Sequence, residues 1–443
     1  MSYIHHDDSN QVTPFAVTNF RDKRVVFGIK KGNRRGHMYV IGKTGTGKST
    51  MLLNMIHADM KTGNGIALID PHGDLAESVL DLVPESRIED VIYFNPADTE
   101  YPIAFNPLAN VKQEYHHLVS SGLISVFKKV WPEFWGPRLE HIFRYSIMTL
   151  LQYPQSTLLD VTRILTDKEF RARILRRVNN PQIQNFWSLE FDKYSAWLKS
   201  EAISPILNKV GQFLISPPLS NILGQKENTF KLRKVMDDGK ILIVNLAKGK
   251  IGEDSSALLG SMMVTMIQLA AQTRAGMPEN RRKHFYLYVD EFHNFITMSF
   301  ADILSEARKY GLNLILAHQY IEQLDEKIRS AVFGNVGTIV SFRVGAEDAK
   351  YLAREFYPVF SEDDFVNLPN YYIYLKLMID GVTSKAFSAV TLEPVEGGKL
   401  YREKIVEVSR QTYGEPKVEI ACEVLSHRKV ESRNTTKQRR LFQ

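Results

Sequence analysis

A chain of 443 residues, 44% hydrophobic and 24% charged, can bury one large core or two modest ones and reads as an ordinary soluble globular protein, which excludes a disordered one. A formal net charge of +6 permits a nucleic-acid partner without demanding one. The single cysteine, Cys422, excludes an internal disulfide framework and fits a reducing compartment.

The first residues, Ile4-His5-His6-Asp7-Asp8, have neither the basic nor the apolar region of a secretory signal. Residues 1–20 read as a loose arm with one short strand. Arg24 to Ile29 reads as an edge strand before the basic turn 30–36. Met38-Tyr39-Val40-Ile41 is a short apolar run, read as a buried strand. It leads into Gly42-Lys43-Thr44-Gly45-Thr46-Gly47-Lys48-Ser49-Thr50, and Met51 to Ile56 then reads as a helix. Strand, glycine-rich loop and helix at this spacing make a phosphate-binding loop (P-loop). Glycines let the backbone curl until several N–H groups face one phosphate chain, and the helix start adds its positive end. Lys48 is placed to reach the β- and γ-phosphates of a nucleotide, and the Ser49 hydroxyl to ligate magnesium.

Gly65 to Asp70 is a second apolar strand, with Asp70-Pro71-His72-Gly73-Asp74 at its carboxyl end, and Val91 to Phe94 a third. Alternation of strand and helix predicts a parallel sheet, whose ligands bind at the carboxyl ends of the strands. From about Val111 to Leu232 the period turns helical. Leu139 to Leu151 follows helical spacing between Pro137 and Pro154, and Lys168 to Val178 does so before Asn180-Pro181. This stretch is expected to be an inserted all-α domain, with Trp131, Trp135, Phe186, Trp187 and Trp197 in its core rather than stacking bases.

The sheet resumes at Lys240 to Leu246. The loop 247–252 offers Lys248 and Lys250 as candidate phosphate-backbone contacts, against the ordinary reading of a solvated loop. A helix from about Ser255 to Thr273 or Arg274 holds the longest apolar run, Leu258 to Ala271, which is too short and too polar to span a bilayer. His284 to Val289 is a strand closed by Asp290 and Glu291. After a P-loop, that pair reads as a carboxylate for magnesium (Asp290, through water) and a general base for water (Glu291). A helix over roughly Ala301–Tyr310 carries Arg308, either an arginine for a neighbouring subunit's nucleotide or a surface ion pair with Glu306 or Asp302. Leu312 to Gln319 is a strand whose Gln319 can contact the γ-phosphate or orient the water. Thr338 to Arg343 is another, and Arg343 is a second candidate for the arginine in trans. Tyr371–Met378 and Ser384–Thr391 flank Asp380-Gly381 as a β-hairpin. Arg428 to Gln443, with six basic residues, reads as a mobile tail. His72, His293 and His318 have no metal-ligand spacing.

Taken together, Gly42–Thr50, Leu68 to Asp74, Tyr288 to Phe292 and Glu306 to Gln319 resemble the HerA/FtsK superfamily. Within it they resemble the TraG/TraD-like coupling ATPases of conjugation and type IV secretion, over about residues 20–395. The resemblance implies a RecA-like P-loop core of the α/β class, a mainly parallel sheet flanked by helices. It also implies an all-α insert between the Walker A and Walker B strands, ATP and Mg2+ as ligands, and a homo-hexameric ring that moves DNA. Lys48 and Ser49 match Walker A, Asp290 and Glu291 match Walker B, and Gln319 matches the sensor glutamine. Arg308 matches the arginine that reaches a neighbour's nucleotide.

The expected organisation is a first core part over 1–110, an all-α insert over 111–232, a second core part over 233–395 and a basic tail over 396–443. Such coupling proteins usually begin with membrane helices, and none is read here. The expected location is therefore cytoplasmic, or peripheral at the inner membrane face through a membrane-anchored secretion component. Two alternatives stand beside transfer of DNA with a relaxase. One is a HerA-type motor working with a nuclease in repair or phage defence, and the other an ATP-driven recruiter of protein substrates.

Overall fold

The computed structural model describes residues 10–19, 23–298, 300–398 and 400–417. The expected tail at Arg428 to Gln443, Cys422 and half of the opening arm (1–9 and 20) lie outside the described residues. The chain divides into two compact units. One contains the residues up to Phe94, Ser125–Pro132 and Lys231–Val406; the other contains Asn95–Ile124, Glu133–Phe230 and the residues from Glu407 on.

The first unit is built on a mixed sheet of eleven strands. In chain order these are β1 Val12–Thr18, β2 Val26–Lys30, β3 Met38–Ile41, β4 Gly65–Asp70, β5 Val91–Phe94, β6 Ile241–Asn245, β7 Phe285–Val289, β8 Leu312–His318, β9 Thr338–Ser341, β10 Tyr372–Lys376 and, after a small pair β11 Met378–Ile379 and β12 Val382–Thr383, β13 Phe387–Thr391. The order across the sheet is β2-β1-β13-β10-β9-β3-β8-β7-β4-β6-β5. From β9 to β5 every pairing is parallel, and from β10 to β2 every pairing is antiparallel. β3, β4, β6, β7, β8 and β9 are buried at every position, which is why they read as apolar runs rather than alternating ones. Full burial of each leucine or isoleucine there contributes about 1.5–3 kcal/mol.

This is the RecA-like P-loop architecture expected from the sequence, with an antiparallel wing added to the parallel half. The hairpin forms as read, β10 on β13, with Asp380-Gly381 between β11 and β12. The short strand expected within residues 1–20 is β1, seven residues long, lying between β2 and β13. Its Pro14 sits where the register with β2 shifts, one of the places in a sheet that tolerate a missing N–H. The helix Glu253–Gln272 ends at a 3-10 turn over Thr273–Gly276.

The second unit is helical by itself. Its helices include Pro137–Leu150, Asp160–Thr166, Lys168–Leu175, Pro181–Asn185, Ala196–Ile215 and Pro217–Leu223. Pro137 opens its helix at the first position, and the Asp167 and Asn180 side chains cap Lys168–Leu175 and Pro181–Asn185. Trp187 is fully buried and donates to Thr149 Oγ1 at 2.9 Å, while Phe186 stacks on Tyr145 at 4.2 Å. Those aromatics are core, as expected. Trp197 is not, being 73% exposed, and Trp131 belongs to the first unit. The segment expected as tail carries a helix, Arg402–Tyr413.

Candidate functional site

β3 delivers Gly42 to the carboxyl edge of the sheet, and the helix Lys48–Lys61 carries the chain away. In the loop between, Gly45 and Gly47 have φ of +76° and +116°. A side chain at Gly47 would also put its Cβ 2.8 Å from the Tyr371 ring. Among the described residues, the amides of Thr44, Gly45, Thr46 and Gly47 have no intramolecular acceptor, so the loop presents a run of donors. The Thr46 hydroxyl donates to Lys43 O at 2.7 Å, and Tyr371 N–H donates to Thr46 O at 2.8 Å. The Lys48 ammonium is buried and donates to the carbonyls of Gly42 (2.5 Å) and Lys43 (3.1 Å). Burial lowers its pKa, opposed by Glu291 and Asp290. Four open amides, a buried cation and the exposed Ser49 hydroxyl fit a triphosphate with its magnesium ion.

β7 ends beside this loop. Asp290 N–H donates to Ile69 O at 3.1 Å, and Asp290 Oδ1 accepts from the Glu291 amide at 3.0 Å. The Asp290 carboxyl is pushed up to about 7, first by burial, then by the charges of Glu291 and Asp70. That crowding of carboxylates calls for a cation. Glu291 sits in the left-handed region (φ +45°, ψ +49°), a conformation that costs roughly 1–2 kcal/mol. The bend turns its carboxylate to Gln319, whose Nε2 donates to Glu291 Oε1 at 2.6 Å. Gln319 Oε1 in turn accepts from Thr44 Oγ1 at 2.9 Å. His293 Nδ1 lies 3.6 Å from the other carboxylate oxygen. Its ring is held neutral, with a pKa of about 4, by burial and then by the charges of Lys129, Lys248 and His72.

Lys43 to Ser49, Asp290, Glu291 and Gln319 thus gather at the carboxyl ends of β3, β7 and β8. Arg343 joins them, because its carbonyl accepts from Lys43 N–H at 2.8 Å and its guanidinium donates to Asn370 Oδ1 at 2.8 Å. Arg308 does not. It is exposed on the 3-10 turn Ala307–Tyr310, before the amino end of β8, while Gln319 follows the carboxyl end. The strand between them spans roughly 20 Å, beyond the reach of an arginine side chain. Among the described residues Arg308 has no ion-pair partner, so neither Glu306 nor Asp302 holds it. Lys248 and Lys250 stand on a short helix, Lys248–Ile251, rather than in a loop, and Lys250 Nζ lies 3.5 Å from Glu77.

Sequence reading placed Asp70 at the carboxyl end of its strand and Thr44 in the P-loop without their hydrogen bonds, and missed Tyr371. Asp70 is fully buried and accepts from the amides of His72 (2.8 Å) and Ala76 (2.9 Å), which shapes the turn after β4. Tyr371 clamps the P-loop, and Thr44 joins it to Gln319. Asp70 had a signal, an acid ending an apolar strand. Tyr371 had none, because its role depends on where the hairpin docks.

A profile of the family described as "type IV secretion-system coupling protein DNA-binding domain" matches residues 25–356. Among solved structures, the bacterial conjugative coupling protein TrwB is similar at 15% identity and a TM-score of 0.60, over 88% of this chain and 91% of that one. TrwB in complex with ADP and Mg2+ matches at 15% identity and 0.60, over 84% of this chain and 89% of that one. VirB4 of Thermoanaerobacter pseudethanolicus matches at 14% identity and 0.58, over 89% and 99%. No curated protein sequence matches significantly. No helix among the described residues is long and apolar enough to cross a membrane.

Proposed function

This chain belongs to the type IV secretion-system coupling protein DNA-binding domain family, and from that premise we propose that it is an ATP-hydrolysing, ring-forming motor that moves DNA in conjugation or a similar transfer. The observation that carries the reading is the hydrogen-bonded chain Thr44–Gln319–Glu291, which ties the phosphate loop to the carboxylate of Walker B. A loop that only holds a nucleotide needs no such connection to a base.

Lys48 and the open amides of residues 44–47 bind the phosphates, and the Lys48 ammonium exchanges its loop carbonyls for phosphate oxygens. When bound, Mg2+ draws charge from the phosphate oxygens; the Ser49 hydroxyl and Asp290, through water, are the groups that hold it. Glu291 takes the proton of the attacking water. Gln319 fixes the Glu291 carboxylate and senses Thr44, so a change at the phosphate end of the loop reaches β8. Arg308 works in trans. Its place at the opposite end of β8 from its own site supports a role at a neighbour's nucleotide, which in turn supports a homo-hexameric ring. Arg343, beside its own P-loop, is better placed to act in cis. DNA is gripped by its phosphates without sequence reading.

The test is ATP turnover against DNA concentration for wild type, Glu291→Gln and Arg308→Ala. The expected result is stimulation by DNA in wild type, loss in both variants and partial recovery when the two variants are mixed, because mixed rings contain interfaces with both groups intact. Turnover indifferent to DNA at low salt overturns the motor reading. Failure of the mixture to recover overturns the role of Arg308 in trans.

A further inference from the structure

The amino-terminal edge of the sheet, opposite the P-loop, opens into a cleft of about 480 Å³. Gly65, the first residue of β4, and Gly239, just before β6, bring bare backbone to its lining. Lys31, Arg35, Arg281, Arg282 and Lys283 also line it, and no carboxylate does. Arg35 has an exposed ion-pair partner, Glu279, outside the lining. Arg282 donates four hydrogen bonds to the carbonyls of Met277, Ala275 and Lys309, so it is a fixed positive wall. Arg281 and Lys283 are exposed, and among the described residues neither side chain has an ion-pair partner. The field is visible at His284 in the lining, held neutral with a pKa of about 4 by burial and then by Lys31 and Arg35. Cations of one sign around a concave surface repel one another, and an anion in the cleft relieves that cost.

We propose that this cleft is a second phosphate site, separate from the P-loop, which grips the phosphodiester backbone of nucleic acid through Arg281 and Lys283, with Lys31 and Arg35 beside them. The proposal rests on the reading of the chain as a DNA motor. A whole nucleotide is a poorer occupant, because His284 is the one aromatic ring in the lining and it already lies nearly parallel to Tyr286, with 6.5 Å between centroids. The cleft is also stitched to the turn that carries Arg308. Arg282 donates to Lys309 O, and Arg274 donates to both Lys283 O (2.9 Å) and Tyr310 O (3.1 Å). A strand seated here lies one hydrogen bond from that turn.

The experiment measures binding of a labelled oligonucleotide, single-stranded and duplex, to the full chain over a range of salt. Arg281→Glu/Lys283→Glu is compared with Lys327→Glu/Lys404→Glu, which reverses the same charge at exposed sites elsewhere. The first pair should weaken binding at least about tenfold and reduce the slope of log affinity against log salt by about two. The second pair should bind as wild type does, and both should keep wild-type affinity for MgATP and wild-type basal turnover. Undiminished binding by the first pair overturns the cleft and leaves the motor reading intact. Wild type that binds no oligonucleotide overturns both. Displacement of the oligonucleotide by poly-glutamate at equal charge, lost in the first pair only, overturns phosphate as the ligand in favour of acidic polypeptide.

Discussion

Gln319 Nε2 stands 2.6 Å from Glu291 Oε1, so the residue that follows β8 holds the carboxylate that follows β7. Replacing Gln319 by Ala leaves the acid in place and removes what aims it. Turnover should fall about 10–100-fold with nucleotide affinity nearly unchanged, whereas Glu291→Gln should cost at least about 100-fold, the ordinary scale of a general base. Steady-state kinetics beside nucleotide titration separates the two. Wild-type kcat in Gln319→Ala would show that the hydrogen bond is incidental.

The two left-handed glycines of the P-loop should respond differently to alanine. At Gly45 nothing lies within 4 Å of an added Cβ, so Gly45→Ala meets only the backbone term, about 1–2 kcal/mol. At Gly47 a φ of +116°, farther from the left-handed well, is joined by a 2.8 Å approach to Tyr371. Gly47→Ala should therefore lower the melting temperature further and abolish ATP binding, while Gly45→Ala keeps measurable affinity. Equal behaviour of the two would remove Tyr371 from the account of the loop.

Acid should destabilise the first unit through buried imidazoles. Burial pushes His37 and His284 down to about 4 and His318 to about 3. The unfolded chain takes up protons near pH 6.5 that the native state refuses, so their stabilising effect is whole above 6.5 and is lost as pH falls toward 4. His37 is the clearest case, since its Nδ1 accepts from Leu314 N–H at 3.1 Å and cannot also hold a proton. It has φ +60°, which Asn tolerates, so His37→Asn should flatten the melting temperature between pH 7 and 5. An unchanged slope would place the acid sensitivity elsewhere.

Arg34 and Asp59 are buried together, with Arg34 Nη1 2.6 Å from Asp59 Oδ1 and Arg34 Nη2 2.7 Å from Tyr288 Oη. Arg34→Met leaves the Asp59 carboxylate uncompensated and should cost about 3–5 kcal/mol in urea unfolding. Arg34→Met with Asp59→Leu should recover most of that loss. A double variant as unstable as the single one would mean that shape, not charge, decides the site.

Legibility in the sequence tracked how local each signal is. β3 and β4 could be read to the residue because full burial writes itself as an apolar run, β5 because all but Tyr93 is buried, and the P-loop because its spacing is set within one turn. The antiparallel wing was only half legible. The hairpin β10–β13 showed through Asp380-Gly381, but β1, with Pro14 inside it, did not read as a strand between two others. Arg34 looked like part of a basic turn and is instead a buried ion-pair partner, since its acid lies on a distant helix. The Thr44–Gln319–Glu291 chain had no linear trace either, because three distant segments meet only once the parallel sheet is assembled.

The strand order also constrains how the chain emerges from the ribosome. β3 pairs on one side with β8 and on the other with β9, and β1 pairs with β13 through Ala16 and Thr391. β3 is thus synthesised long before either of its neighbours exists. Throughout that interval an apolar strand waits with both edges unpaired, the kind of exposed edge through which incomplete chains associate.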